Sequence, residues 1–239
     1  MRKNMVTVGL TLGVAATVGL GVGATGATGA TGTPPTLAAI QSKAAAAITL
    51  RVNDLNAGVT KVNGLGAIGS GAPALVAYLQ KDIPELQALG QKIAGDTTVA
   101  EAEADARTIF TNYRVLALVL PAARQAGASD EIMYGVDPRV AAGVARATKL
   151  ETPANEGTVG PLLTDLQAQV TAASSATSGV AATVLSYTPA QWNANHSLLS
   201  PITASVSSAR SDMQKAKSDV QQIRAALKPA AAAGAGAGA

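Results

Sequence analysis

His196 is the one histidine in a chain of 239 residues that has no cysteine, so any acid–base, nucleophilic or zinc chemistry converges on a single imidazole. It lies in a polar stretch, Gln191-Trp192-Asn193-Ala194-Asn195-His196, with no glycine elbow or serine motif beside it. The spacing therefore reads as a solvated or packed histidine rather than a triad member. The acidic run Glu101, Glu103, Asp105 offers Glu101 and Asp105 on one helix face at four-residue spacing, but Glu103 is placed to pair with Arg107, and the first turn of a helix favours acidic side chains in any case. Gly64, Gly66, Gly69 and Gly71 follow no strand and precede no Lys-Ser/Thr pair, which leaves a phosphate-cradling loop without support. No catalytic, cofactor-binding or metal-ligating residue is assigned, and the chain is read as a non-enzyme.

Trp192, Asn193, Asn195 and His196 remain as candidates for contact with a partner. Trp192 is the sole tryptophan. It reads either as a packing staple at the end of a helical bundle or as part of a glycan or peptide site. Arg51, Asp54, Arg107 and Arg114 stand beside apolar positions, either as interhelical ion pairs that set register or on solvated faces.

The elements that must carry these residues are helices. From Ile48 the apolar positions run Ile48, Val52, Leu55, Val59 and Val62, a four-three alternation that predicts an amphipathic, heptad-like seam. A break over 63–73 separates it from a second seam, Val76, Leu79, Ile83, Leu86, Ile93. Thr98 and Glu101 have capping-box spacing and open a third helix through Ile109, Leu116 and Leu120. Its stretch Val115 to Leu120 is apolar all round, which predicts a central, surrounded helix ended or kinked by Pro121. Residues 129–150 form an irregular fourth helix, with Asp137-Pro138 as a cap and first turn, and 151–160 form a loop. Leu162 to Val184 mark a fifth helix whose serines and threonines face water. Thr188-Pro189 starts the last and longest helix, about 57 Å from Ala190 to Leu227 at 1.5 Å per residue if continuous, with a bend near Asn195 to Leu199 set by Pro201. Together they predict an all-α fold, an elongated antiparallel helical bundle with coiled-coil-like heptad seams.

Composition sets the terms of its core. The apolar fraction is 48% but aromatic residues make up only 3%, so alanine, valine and leucine supply it. Small side chains bury little area each, so stability must come from long continuous seams.

Arg2 and Lys3 followed by the uncharged stretch Met5 to Val22 and by Val22-Gly23-Ala24 read as a secretory signal peptide over 1–24, cleaved after Ala24 or at Ala27 or Ala30. A retained membrane helix is the competing reading, and the glycines and threonines within the stretch oppose it. Residues 25–36 form an Ala/Thr/Gly-rich linker, 37–228 the helical bundle domain, and 229–239 an Ala/Gly low-complexity tail. Of the formal net charge of +3, Arg2 and Lys3 carry two, leaving +1 after cleavage. Basic residues scattered singly on helices give no nucleic-acid footprint.

The segments Ile48-Thr49-Leu50-Arg51-Val52-Asn53-Asp54-Leu55, Ile93-Ala94-Gly95-Asp96-Thr97-Thr98, Ile109-Phe110-Thr111-Asn112-Tyr113-Arg114-Val115, and Thr188-Pro189-Ala190-Gln191-Trp192-Asn193-Ala194-Asn195-His196 resemble a family of actinobacterial exported helical proteins. The resemblance covers most of residues 37–227. It implies a signal peptide, a coiled-coil-like bundle and an extracytoplasmic location, and brings no activity or binding residues. The function expected is that of an exported, non-catalytic spacer, structural or binding module of the cell envelope, with no cofactor. Its partner would be a protein or cell-wall component, self-association through the seams is open, and nucleic acid is excluded. The alternative is a membrane-active or lipid-binding amphipathic helical protein, which would need more basic faces and interfacial aromatics than the chain has.

Overall fold

The computed structural model describes residues 34–64 and 71–234, with side chains as far as Leu227. The signal-like segment 1–24, linker residues 25–33 and the last five residues of the tail lie outside the described residues. The fold is all-α, and no strand occurs among the described residues. The span expected as one bundle, 37–228, is divided by its contacts into two compact units. Residues 34–64, Val76–Arg124 and Tyr187–His196 make unit 1, and residues 71–75, Gln125–Ser186 and 197–234 make unit 2.

Unit 1 is organised by α1 (Leu37–Gly64), which packs against α3 (Ile83–Gly95) and α4 (Val99–Thr111). The buried face of α1 runs Ile40, Ala44, Ile48, Arg51, Leu55, Gly58, Val62, a helical period that brings a charged residue and a glycine into the interface. Gly58 is there for closeness. A Cβ at that position would stand 3.2 Å from Leu79 Cδ1 on α2 (Gly71–Gln80). The second seam is therefore not one helix: it breaks at Lys81-Asp82, because Pro84 has no N–H to continue a helix and instead occupies the first turn of α3.

The start of α4 is as expected. Thr98 accepts from Glu101 N–H while the Glu101 carboxylate accepts from Thr98 N–H at 3.1 Å. Glu101 thus caps a helix, and its neighbour Asp105 accepts a 2.9 Å ion pair from Lys92 on α3. Both carboxylates are thus engaged, one in a cap and one in an ion pair.

The third helix does not run on to Pro121. It ends at Thr111, turns through Asn112-Tyr113-Arg114, and resumes as a π-helical turn, Val115–Val119, that leads into α5 (Leu120–Asp130). Pro121 is the second residue of α5, in a helical run that enters from the π-helical turn and continues to Asp130, so it does not end the helix. The apolar run is central as expected, with Val115 and Leu118 fully buried and Val119 nearly so. Arg51 departs from both sequence readings. Its guanidinium is buried 4.5 Å over the Phe110 ring and donates to Ala47 O at 2.8 Å. Desolvation lowers its affinity for a proton, and Asp54 opposes that effect.

Unit 2 is built on a helix pair, α7 (Glu156–Thr177) and α10 (Ser200–Gly234). Leu163 and Leu166 lie with Ala216 and Ile223, and Ala173 with Ala209, so the two helices run in opposite directions. A second π-helical turn, Glu131–Val136, connects α5 to α6 (Asp137–Thr148), which also packs on α7. The expected loop 151–160 is shorter than the pattern suggested, because α7 starts at Glu156 and carries Pro161 in its second turn. The fifth helix is split in turn: Gly179, at φ +71°, separates α7 from α8 (Val180–Leu185). Nor do all its hydroxyls face water. Thr177 is fully buried and donates to Ala173 O at 2.8 Å, and Ser174 donates to the Asp137 carboxylate. The last helix is also two, α9 (Pro189–Ala194) and α10, since Asn195 is extended at φ −145°, ψ 96° and Pro201 stands at the second position of α10. Beyond Leu227 the α10 backbone stays helical through Pro229 to Gly234.

Unit 2 also buries Asp130, against which a Cβ at Gly71 would collide. Burial raises both Asp130 and Asp137 above the ordinary carboxylate range, the Ser174 hydroxyl opposing the rise at Asp137. A carboxyl whose folded-state value exceeds its unfolded-state value binds its proton better in the folded chain. Stability then grows as the pH falls through the folded-state value and is fully gained below the unfolded-state one. Glu101 runs the other way, held low by the Thr98 bonds, so its contribution is lost in acid. Comparing wild type with Asp130→Asn cancels that common background. Between about pH 7 and about pH 4 the wild type is expected to gain urea resistance relative to Asp130→Asn, and parallel midpoint curves would refute this.

Candidate functional site

The departures from regular helix in unit 1 gather where α9 meets the end of α4. Arg114 is the one non-glycine residue with positive φ among the described residues, at φ 47°, ψ 33°. A left-handed arginine is strained by roughly 1–2 kcal/mol and persists only when its surroundings hold it. The Arg114 carbonyl accepts from Leu118 N–H at 2.7 Å and Val119 N–H at 3.2 Å, and its side chain is held by Asn193. Asn193 Oδ1 accepts from Arg114 Nε at 2.6 Å and Asn193 Nδ2 donates to Thr111 O at 3.0 Å. Thr111 O belongs to the last turn of α4, whose carbonyls have no partner within their own helix. One amide thus closes a helix end and fixes the guanidinium that follows it.

Local sequence places that amide. Thr188 Oγ1 accepts from Gln191 N–H while Gln191 Oε1 accepts from Thr188 N–H at 2.8 Å, and Pro189 fills the first helical position. The six-residue α9 then presents Trp192 half-buried, with Asn193, Asn195 and His196 exposed. No residue of α9 is buried. The Trp192 and His196 rings meet edge-on, 5.8 Å between centroids at 69°. Of the four candidate contact residues, then, Trp192 and His196 form a pair, Asn193 is committed to the α4 junction, and Asn195 ends the helix, its N–H donating to Gln191 O at 2.9 Å.

Aromatic residues concentrate in this unit. Tyr78, Phe110, Tyr113, Tyr187 and Trp192 belong to it, leaving Tyr134 alone in unit 2. Burial raises the Tyr113 hydroxyl, and Glu85 and Asp82 raise it further. Asp82 is itself raised by burial and by Glu85, against the pull of Lys81. The Tyr78 hydroxyl is raised more strongly, by burial first and Asp82 second, and it is buried without a hydrogen-bond partner. Such an arrangement offers recognition by amide hydrogen bonds and ring edges, beside a region where negative charge is disfavoured.

Sequence reasoning singled out Trp192 and its neighbours but not Thr111 or Tyr113, and it read Arg114 as either a register-setting ion pair or a charge on a solvated face. Nothing between Thr111 and Val115 signals a left-handed residue, since the sequence there has no glycine. Among the described residues no group of three or more His, Asp or Glu side chains is placed to hold a metal ion.

Fold and site together define an all-α protein of Ala-rich packed helices with a polar and aromatic junction at the end of one of them. No protein-family model, characterised protein or solved structure matches the chain.

Proposed function

We propose that the chain is an exported helical protein that serves the cell envelope as a structural spacer or binding module, without a catalytic role, and that its partner is an envelope protein or cell-wall component. The observation that carries the binding element is α9: a helix that buries nothing holds the chain's sole tryptophan half-open against His196. A tryptophan side chain can bury about 150–250 Å², so leaving it unfilled in a chain so poor in aromatics favours a surface use. The spacer element is supported by α10, whose 35 residues extend about 53 Å at 1.5 Å per residue. The signal-like segment and the resemblance to actinobacterial exported helical proteins support the location.

Of the two features behind the membrane-active alternative, amphipathic helices and the apolar run, the second is used inside the protein. Val115, Leu118 and Val119 are spent in the core of unit 1, and no helix among the described residues is long and apolar enough to cross a membrane.

Fractionating cells that express the tagged full chain, then capturing envelope components with wild type and Trp192→Ala, tests both parts. Recovery in the extracytoplasmic fraction, with one wall polymer or protein retained by wild type and reduced about tenfold or more by Trp192→Ala, is the expected outcome. Retention in the cytoplasm, or capture indifferent to Trp192, would refute it.

A further inference from the structure

The hold on α9 is unusual for a helix inside a compact unit. None of its residues is buried, and its long-range hydrogen bonds include the two made by Asn193, to residues 79 and 82 positions away. A hydrogen bond of this kind contributes about fivefold to an equilibrium constant, the one to a guanidinium rather more. That hold is small beside that of helices anchored by fully buried residues such as Leu55, Leu86 and Ile109.

We infer that α9 is a hinged flap on unit 1, latched by the Asn193 amide, which opens while α1, α3 and α4 stay folded. Opening gives the Thr111 carbonyl to water and frees the Arg114 guanidinium. Trp192 travels with the flap while His196 lies beyond the Asn195 hinge, so the latch governs whether the aromatic pair a partner meets is intact. Extended backbone at Asn195 on one side and Thr188, at φ −111° and ψ 156°, on the other supplies non-helical hinges at both ends. The inference stands whether or not the chain is exported.

Native-state hydrogen exchange on the full chain, with low urea added, reads the latch directly. In wild type the Trp192 and Asn195 amides, bonded to Thr188 O and Gln191 O, are expected to exchange at least about a hundredfold faster than amides around Leu55, at rates that urea does not change. Asn193→Ala should raise those flap rates about tenfold more and shift the tryptophan emission to the red, with α1 and α3 unchanged. Exchange of the α9 amides only through global unfolding would overturn the inference in wild type alone. So would an Asn193→Ala chain whose flap rates and emission match wild type, or one whose rates rise equally in every helix.

Discussion

Leu55→Ala is expected to remove about 3 kcal/mol of stability, within the range of 2–5 kcal/mol typical of buried leucines. Leu55 is fully buried at the middle of α1, on the face that packs against α3 and α4. Two effects add: the transfer free energy of the lost methyl and methylene groups, and the cavity they leave. The cavity should collapse poorly here. Gly58, one turn further on, already lets Leu79 approach as closely as a helix backbone allows, and Arg51 one turn back is fixed against Phe110. Urea denaturation should show a lower midpoint at unchanged slope. Asn56→Ala, exposed on the same helix, should stay within about 0.5 kcal/mol. A Leu55→Ala loss below about 1 kcal/mol would mean that α1 is not the organising helix of its unit.

The second large effect is expected from adding atoms rather than removing them. Ala173 and Ala209 are both fully buried and share a small cluster with Ile132 where α7 and α10 cross. With a methyl group on each side the helices can approach closely, which gathers dispersion contacts along the whole pair without large anchors. Ala209→Leu forces three more carbons into that space and is expected to cost about 2 kcal/mol, through off-rotamer side chains or a shift of α10. Ala225→Leu, exposed on the same helix, is the control and should be nearly neutral. If Ala209→Leu stabilised the chain, the seam would hold unfilled volume, and close Ala packing would not be what joins the pair.

Those two positions show how far the sequence reached. The alanine share of the core followed from composition alone, and the Ala209→Leu experiment rests on it, while Leu55 was marked by its place in the α1 seam. The capping boxes at Thr98 and Thr188 were visible because their bonding partners lie three residues apart, within a window that pattern reading covers. Helix breaks were far less visible. Apolar spacing runs straight through Lys81-Asp82 and Asn112-Tyr113-Arg114, and each of these interrupts a helix, whereas the break after Ala194 falls where Pro201 predicts a bend. Pro84 and Pro201 stand two or more residues inside the expected helices and could be read as bends, whereas the structure uses each as the first turn of a new helix.

At the candidate site the division is the same. Trp192 and His196 stand out by rarity and lie four residues apart, so their meeting across the end of α9 is local in the chain. The role of Asn193 is not local. An asparagine in a short helix has no signature for bonding a carbonyl 82 residues earlier, nor does an arginine after Asn112-Tyr113 announce positive φ.

By itself, then, the sequence determined an all-helical chain, the helix faces, the capped starts at Val99 and Pro189, and a core of small side chains. Periodicity, caps and composition act within a turn or two of chain, and that is as far as they reach. Tertiary structure alone decided that the Arg51 guanidinium lies over Phe110 instead of in an ion pair, and that Asn193 closes α4 and bonds Arg114. Each of these depends on groups 59 to 82 residues apart finding one another, and their energies override local helix preference by a few kcal/mol at most.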